Sequence, residues 1–289
     1  MGRVIFVTAF KGGVGKTTVS AGIACALAAL GKRVCIVDAD FGMRCMDLVL
    51  GMADYAMYDC SDVLQGNCTV SDALLPVNDC EGLWFLPAPI RYDGAMPDRR
   101  RALDMIAYLK ERFDFCILDS SAELTPYYRL FADLADDAIV VTLHQSVAIR
   151  AAEKTAAHLA SFGHRRVHLV VNCFSEEKAK SRKLPTLPDI IFRSSVPLIG
   201  AVPRSDRLPE DQEAVSLALS GEPNRRLADY EAAFLNIACR MCGLEIPLWK
   251  GVSFPKRKGS ALRAREKELL KQRRNADRWS EEGKEGTSV

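Results

Sequence analysis

Residues 10–18 read FKGGVGKTT, which places three glycines, two lysines and two threonines between an apolar run and a helical pattern. Gly12, Gly13 and Gly15 let the backbone curl so that successive N–H groups point inward, a nest for anionic oxygens. A helix that begins near Lys16 adds the positive end of its dipole. From that position Lys16 can reach the β- and γ-phosphates of a nucleotide, and the Thr17 hydroxyl can ligate Mg²⁺. Phe10 stands where an ordinary phosphate loop carries its first glycine, and Lys11 follows it. Three carboxylates close apolar runs: Asp38 and Asp40 in VDAD (37–40), and Asp119 in CILDS (116–120). Carboxylates at strand ends beside such a loop can hold metal-bound water and orient an attacking water. The chemistry predicted is phosphoryl transfer from ATP with Mg²⁺.

The elements that must position these residues alternate along the chain. Short apolar runs at 4–10, 33–40, 82–89, 114–121, 136–143, 166–174 and 197–204 read as strands covered on both faces. Helical patterns lie between several of them, at 19–30, 98–113 and 146–163, and another follows at 230–241. Gly31, Gly163 and Gly221 stand where periodic stretches stop. Alternation at this spacing predicts an α/β fold, a doubly wound and mostly parallel sheet flanked by helices. In such sheets ligands bind at the carboxyl ends of the strands, where the glycine loop lies.

Hydrophobic residues make up 48% of the 289 and charged residues 26%, as in ordinary globular chains. No apolar stretch approaches the ~20 residues of a membrane-spanning helix. Net charge is only +2 but is uneven: residues 250–289 hold twelve Lys/Arg against six Asp/Glu, a local +6 that leaves −4 to residues 1–249. The composition changes near residue 248, so residues 1–248 are expected to form the ATPase domain. Residues 249–289 are expected to form a basic, partly helical or disordered tail suited to an acidic surface. The ten cysteines fall mostly in apolar runs, among them Cys25, Cys35, Cys116 and Cys173, and read as small buried hydrophobes in a reducing cytoplasm. Cys239 and Cys242 form a C-x-x-C pair that closes an amphipathic helical pattern; packing is one role, a metal or redox pair the other.

KGGVGKTT (11–18) resembles the deviant phosphate loop of the MinD/ParA superfamily, whose first lysine is its hallmark. The resemblance implies that Lys16 serves the chain's own nucleotide while Lys11 reaches the partner's phosphates across a nucleotide-sandwich homodimer. VDADFGMRCMDLVLGM (37–52), YDCSDVLQGNCTVSDALL (58–75) and LWFLPAP (83–89) are similar to the MinD branch. There the counterpart of Asp40 positions the attacking water, that of Asp38 supports the metal, and Asp119 matches a Walker-B aspartate. The resemblance extends nucleotide contact to the whole loop: Lys11, Gly12, Gly13, Val14, Gly15, Lys16, Thr17 and Thr18. Asn172 in VVNCF matches the asparagine that reads the adenine edge, and the backbone near Pro203 would line the base. The function implied is an ATP-dependent switch in division-site placement, cytoplasmic and reversibly peripheral on the membrane, with protein partners that activate or inhibit it.

Two departures stand out. DSSAE (119–123) carries Ser121 and Glu123 where that branch has proline and glycine, which predicts slow or altered hydrolysis. LHQS (143–146) replaces an N-P-E-like stretch used across the dimer. In the tail, residues 260–280 offer only Leu262, Leu269, Leu270 and Trp279 as large apolar positions, a thin stripe for membrane insertion. The same basic arm could contact DNA phosphates, as in the ParA branch. A nucleotide-binding adaptor and an iron–sulfur carrier using Cys239 and Cys242 are the other readings.

Overall fold

The computed structural model describes residues 1–53, 56–78, 80–92, 94, 96–164, 166–205 and 228–246. Two compact units divide the chain, Met1–Gly221 with Leu227–Gly251 and Glu222–Arg226 with Val252–Val289. The second unit, the basic tail and the Gly221 helix stop lie outside the described residues.

One sheet organises the first unit. Its strands are β1 (Arg3–Thr8), β2 (Val34–Ala39), β3 (Leu75–Pro76), β4 (Leu83–Leu86), β5 (Phe115–Ser120), β6 (Asp137–Leu143), β7 (Val167–Phe174) and β8 (Leu198–Pro203). They lie in the order β3-β4-β2-β5-β1-β6-β7-β8. Every neighbouring pair is parallel except β3 on β4. The seven expected strands are all present, with ends shifted by at most three residues. The addition is β3, a two-residue antiparallel edge. Pro76 is tolerated there because an edge strand leaves one side of its backbone unpaired.

The helices are α1 (Lys16–Ala29), α2 (Met46–Val49), α3 (Cys60–Gln65), α4 (Val70–Ala73), α5 (Arg99–Arg112), α6 (Pro126–Leu134), α7 (Ser146–Ser161), α8 (Glu176–Lys180), α9 (Leu187–Ser194) and α10 (Asp229–Met241). Val4 and Phe6 of β1 join one buried cluster with Met105 of α5, Phe131 of α6 and Ile149 of α7. Alternation along the strand leaves Ile5 and Val7 for the opposite face, which α1 and α10 cover. Every residue of α1 from Val19 to Ala28 is buried. A Cβ at Gly22 would stand 2.5 Å from the Phe234 ring of α10, so only glycine permits this approach. Gly31 and Gly163 take φ of 75° and 84° just past α1 and α7, as helix-terminating glycines do.

Candidate functional site

The glycine loop leaves the carboxyl end of β1 and turns into α1. Gly13 and Gly15 adopt φ of 72° and 84°, a region closed to most side chains. Gly15 is the N-cap of α1, so no side chain caps the helix and no acidic residue stands in its first turn. The backbone N–H groups of that turn are therefore available to an anion. Lys11 and Lys16 are half-buried, as are Thr17 and Thr18, while Gly12 and Gly13 are exposed.

Contacts distant in sequence hold the loop. The Thr155 hydroxyl of α7 accepts from Phe10 N (3.1 Å) and donates to the Ala151 carbonyl (2.8 Å). The Phe10 ring packs on His158, 5.3 Å between centroids. Phe10 is thus a packing anchor that fixes the backbone directly before Lys11. On the other side, the Asn172 side-chain amide donates to the Val14 carbonyl (2.9 Å), and its Oδ1 accepts from Cys173 N (2.9 Å). A Cβ on Gly15 would collide with Asn172 Nδ2. An amide has two N–H groups and two lone pairs, so one of each remains for a base edge. Cys173, expected to be buried, is instead exposed: its φ of 52° turns it out of the strand.

The register of β2 on β5 makes Asp38 and Asp119 Cα partners, each 1% exposed. Asp119 Oδ1 accepts from the Ser20 hydroxyl at 2.7 Å. Burial pushes the Asp119 carboxyl up to about 6, against the hydroxyls of Ser20 and Thr17 and the Lys16 ammonium, which pull it down. Burial also holds Asp38 well above the usual carboxylate range. The Asp119 charge adds to this, while the Asp40 and Met46 N–H groups oppose it, at 3.0 and 3.2 Å. Two buried carboxylates facing each other beside a threonine hydroxyl suit a hard divalent cation, which would relieve their repulsion. Asp40 is half-buried; its Oδ1 accepts from Gly42 N at 3.2 Å and Met43 N at 3.3 Å, which steadies the loop after β2.

Around these groups the loops after β2 and β5 are tied down. Phe41 packs on Tyr127 of α6 with ring centroids 4.3 Å apart, which links the loop after β2 to the helix after β5. In the DSSAE stretch the Ser121 hydroxyl donates to the Glu123 carbonyl at 2.9 Å, and the Glu123 side chain is exposed. His144 of the LHQS stretch turns inward: its ring stacks on Phe174 at 4.5 Å, its Nε2 meets the Pro185 carbonyl, and its Nδ1 accepts from Ser175 N. The expected site residues Lys11, Gly12, Gly13, Val14, Gly15, Lys16, Thr17, Thr18, Asp38, Asp40, Asp119 and Asn172 all lie at the carboxyl ends of β1, β2, β5 and β7. Pro203 ends β8 as the Cα partner of Phe174, and most of the segment expected to follow it lies outside the described residues. Cys239 is buried in α10 and Cys242 caps its end; among the described residues no cluster of His, Cys, Asp or Glu could hold a metal by itself. Ser20 and Thr155 are the contributors that motif reading overlooks. Ser20 had a signal, since it lies three residues past Thr17 on one helix face; Thr155 had none.

Residues 5–216 match the CobQ/CobB/MinD/ParA nucleotide binding domain family. The chain is 35% identical over 250 residues to the septum site-determining protein MinD of Synechocystis sp., covering 86% of this chain and 92% of the relative. Its fold superposes on the MinD chain of a MinC:MinD cell division protein complex from Aquifex aeolicus with a TM-score of 0.76 and 30% identity, covering 86% of this chain and 98% of that one. MinD of Pyrococcus horikoshii, solved with Mg-ADP, gives a TM-score of 0.72 at 25% identity over 83% of this chain and 96% of that one. The chain belongs to the MinD family of the MinD/ParA nucleotide-binding superfamily.

Proposed function

We propose that this chain is an ATP-hydrolysing switch of the MinD type, acting in placement of the cell-division site. It pairs with a second copy of itself when ATP is bound. The convergence of Thr17, Lys16, Ser20 and Asp119 on one point, with Asp38 opposite, is the observation that carries this reading. Lys16 and the N–H groups of the loop and first turn of α1 bind the β- and γ-phosphates and neutralise charge that grows in the transition state. Lys11, with its backbone braced at Phe10, reaches the phosphates of the partner's nucleotide. Thr17 would hold Mg²⁺ directly, with Asp38 and Asp119 behind it; the bound ion supplies charge neutralisation on the phosphate oxygens. Asp40 orients the attacking water and the loops after β2 and β5 exclude bulk solvent. Asn172 reads the base with its remaining N–H and lone pair, and the backbone near Pro203 lines it. Ser121 and Glu123 slow this hydrolysis relative to relatives with proline and glycine there.

The paired state recruits protein partners that regulate division, and hydrolysis releases them. Residues 1–248 form the ATPase domain. The tail from 249 adds a weak electrostatic contact with anionic lipid on the inner face of the membrane, and pairing doubles that contact. Phosphate release and sedimentation with and without ATP test the reading together. The intact protein should hydrolyse ATP and pair only with ATP, and Lys16→Ala should do neither. Equal phosphate release by the parent and Lys16→Ala would reject the enzyme assignment.

A further inference from the structure

At the end of β1 remote from the glycine loop lies a cavity of about 630 Å³. It lies between the amino ends of β1, β6, β7 and β8 and the last turn of α10 with the residues that follow, where Arg3 Nη1 donates to the Met241 carbonyl at 3.0 Å. Ile5, Ile139 and Ile199 line it from the sheet, with Met241, Leu244 and Ile246 from the end of α10 and the turn after it. The volume falls in the range of small-molecule sites, and the walls are largely apolar with a few polar groups at one side.

Its charged lining groups balance in number, Arg3 and Arg240 against Asp137 and Glu245, but they do not all pair with one another. Asp137 is 1% exposed; its Oδ2 accepts from the Arg3 guanidinium, and Arg166 Nε stands 2.6 Å from Oδ1 as an ion pair without hydrogen-bond geometry. Arg240, which also lines the cavity, has neutral partners only. Its Nε and Nη2 donate to the Ile246 carbonyl, the former at 2.9 Å, and its Nη1 to the Ile199 carbonyl at 3.3 Å. Among the described residues no carboxylate pairs with it, and Glu245 at the rim is exposed. Guanidinium carries five N–H donors, so two remain after those three bonds. Burial disfavours the Arg240 cation, and it disfavours protonation of His168 on the same wall. A partly desolvated cation beside an apolar cavity recognises an anion with an apolar body.

We propose that this cavity binds a small amphipathic monoanion, a medium-chain fatty acid, with its carboxylate on Arg240 and its chain across Ile5, Ile139 and Ile199. The site is independent of the nucleotide loop and of the function proposed for it.

Octanoate titrated into the intact protein, followed by calorimetry and by the imidazole NMR signals, tests this. The chain has four histidines, His144, His158, His164 and His168, and only His168 lines the cavity. Octanoate should saturate at one per chain and move the His168 signal while the other three stay. Octanol and inorganic phosphate, which each supply half of the chemistry, should bind at least tenfold more weakly. Arg240→Gln should weaken octanoate at least tenfold. Leu244→Trp fills the cavity from a half-buried turn and should do the same with an unchanged thermal midpoint; it decides the matter if Arg240→Gln does not fold. Non-saturating binding, octanol as tight as octanoate, equal movement of all four imidazoles, or full affinity in a folded Leu244→Trp protein would each overturn the proposal.

Discussion

Asp38 and Asp119 face each other across neighbouring parallel strands, Cα partners in the register of β2 on β5 and both almost fully buried. Asp119 sits at about 6 in the folded chain against 3.8 ordinarily. The folded state therefore binds the extra proton between those two values, and stability rises as pH falls from above 6 towards 4. The neutral isostere removes this dependence. Asp119→Asn should stabilise the nucleotide-free protein at pH 7.5 by up to roughly 3 kcal/mol and change little at pH 4. Urea unfolding at the two pH values, without Mg²⁺, measures the difference. The same variant should lose Mg²⁺-dependent nucleotide binding.

Ser20 acts on the same carboxylate. Its hydroxyl lowers the Asp119 pKa, so Ser20→Ala should raise that value further. The acidic limb of the ATPase pH profile should move to higher pH while the alkaline limb stays. A uniform loss of rate at every pH would assign Ser20 to packing instead.

Asn172 and Gly15 share one space. Gly15→Ala meets both the strain of φ 84° and the Asn172 amide, and should weaken nucleotide binding at least tenfold. In Gly15→Ala with Asn172→Ala the collision is gone and the strain persists. The pair should therefore be less than additive, which nucleotide titration of the four proteins in the cycle would reveal.

The brace behind Lys11 is a single hydroxyl. Thr155→Val keeps the volume but strands the Phe10 N–H, at a cost of about 1–3 kcal/mol in denaturant unfolding. It should weaken ATP-dependent pairing more than nucleotide binding by the monomer, because the freed residue precedes Lys11.

Legibility in the sequence followed how local each cause is. Strands such as β2 and β5 are legible because VCIVDA and FCILDS are continuously apolar up to the aspartate that stands one residue before their end. The loop from Lys11 to Thr18 is legible because its glycines and lysines act within one turn. The short helices α3 and α4 escaped a periodicity reading, with six and four residues, although Asp59 with Asp62 and Thr69 with Asp72 form capping boxes. Helix α6 was missed for a related reason: nine residues with Tyr127, Tyr128, Leu130 and Phe131 buried give too little period to separate helix from strand. Cys173 misled because composition does not report a positive φ. The Thr155 brace spans 145 residues and exists only once α7 packs beside the loop. His144 likewise reads as a replaced interface residue until its ring is seen stacked on Phe174.

Lys11 carries the central claim, that one lysine of the loop serves the chain's own nucleotide and the other serves a twin. Sedimentation of Lys11→Ala with a non-hydrolysable ATP analogue, alongside the parent, is the most direct test. The parent should run as a twofold particle and the variant as a single chain that still binds the analogue within a few-fold of the parent. A variant that pairs and turns over ATP as the parent does would contradict the account.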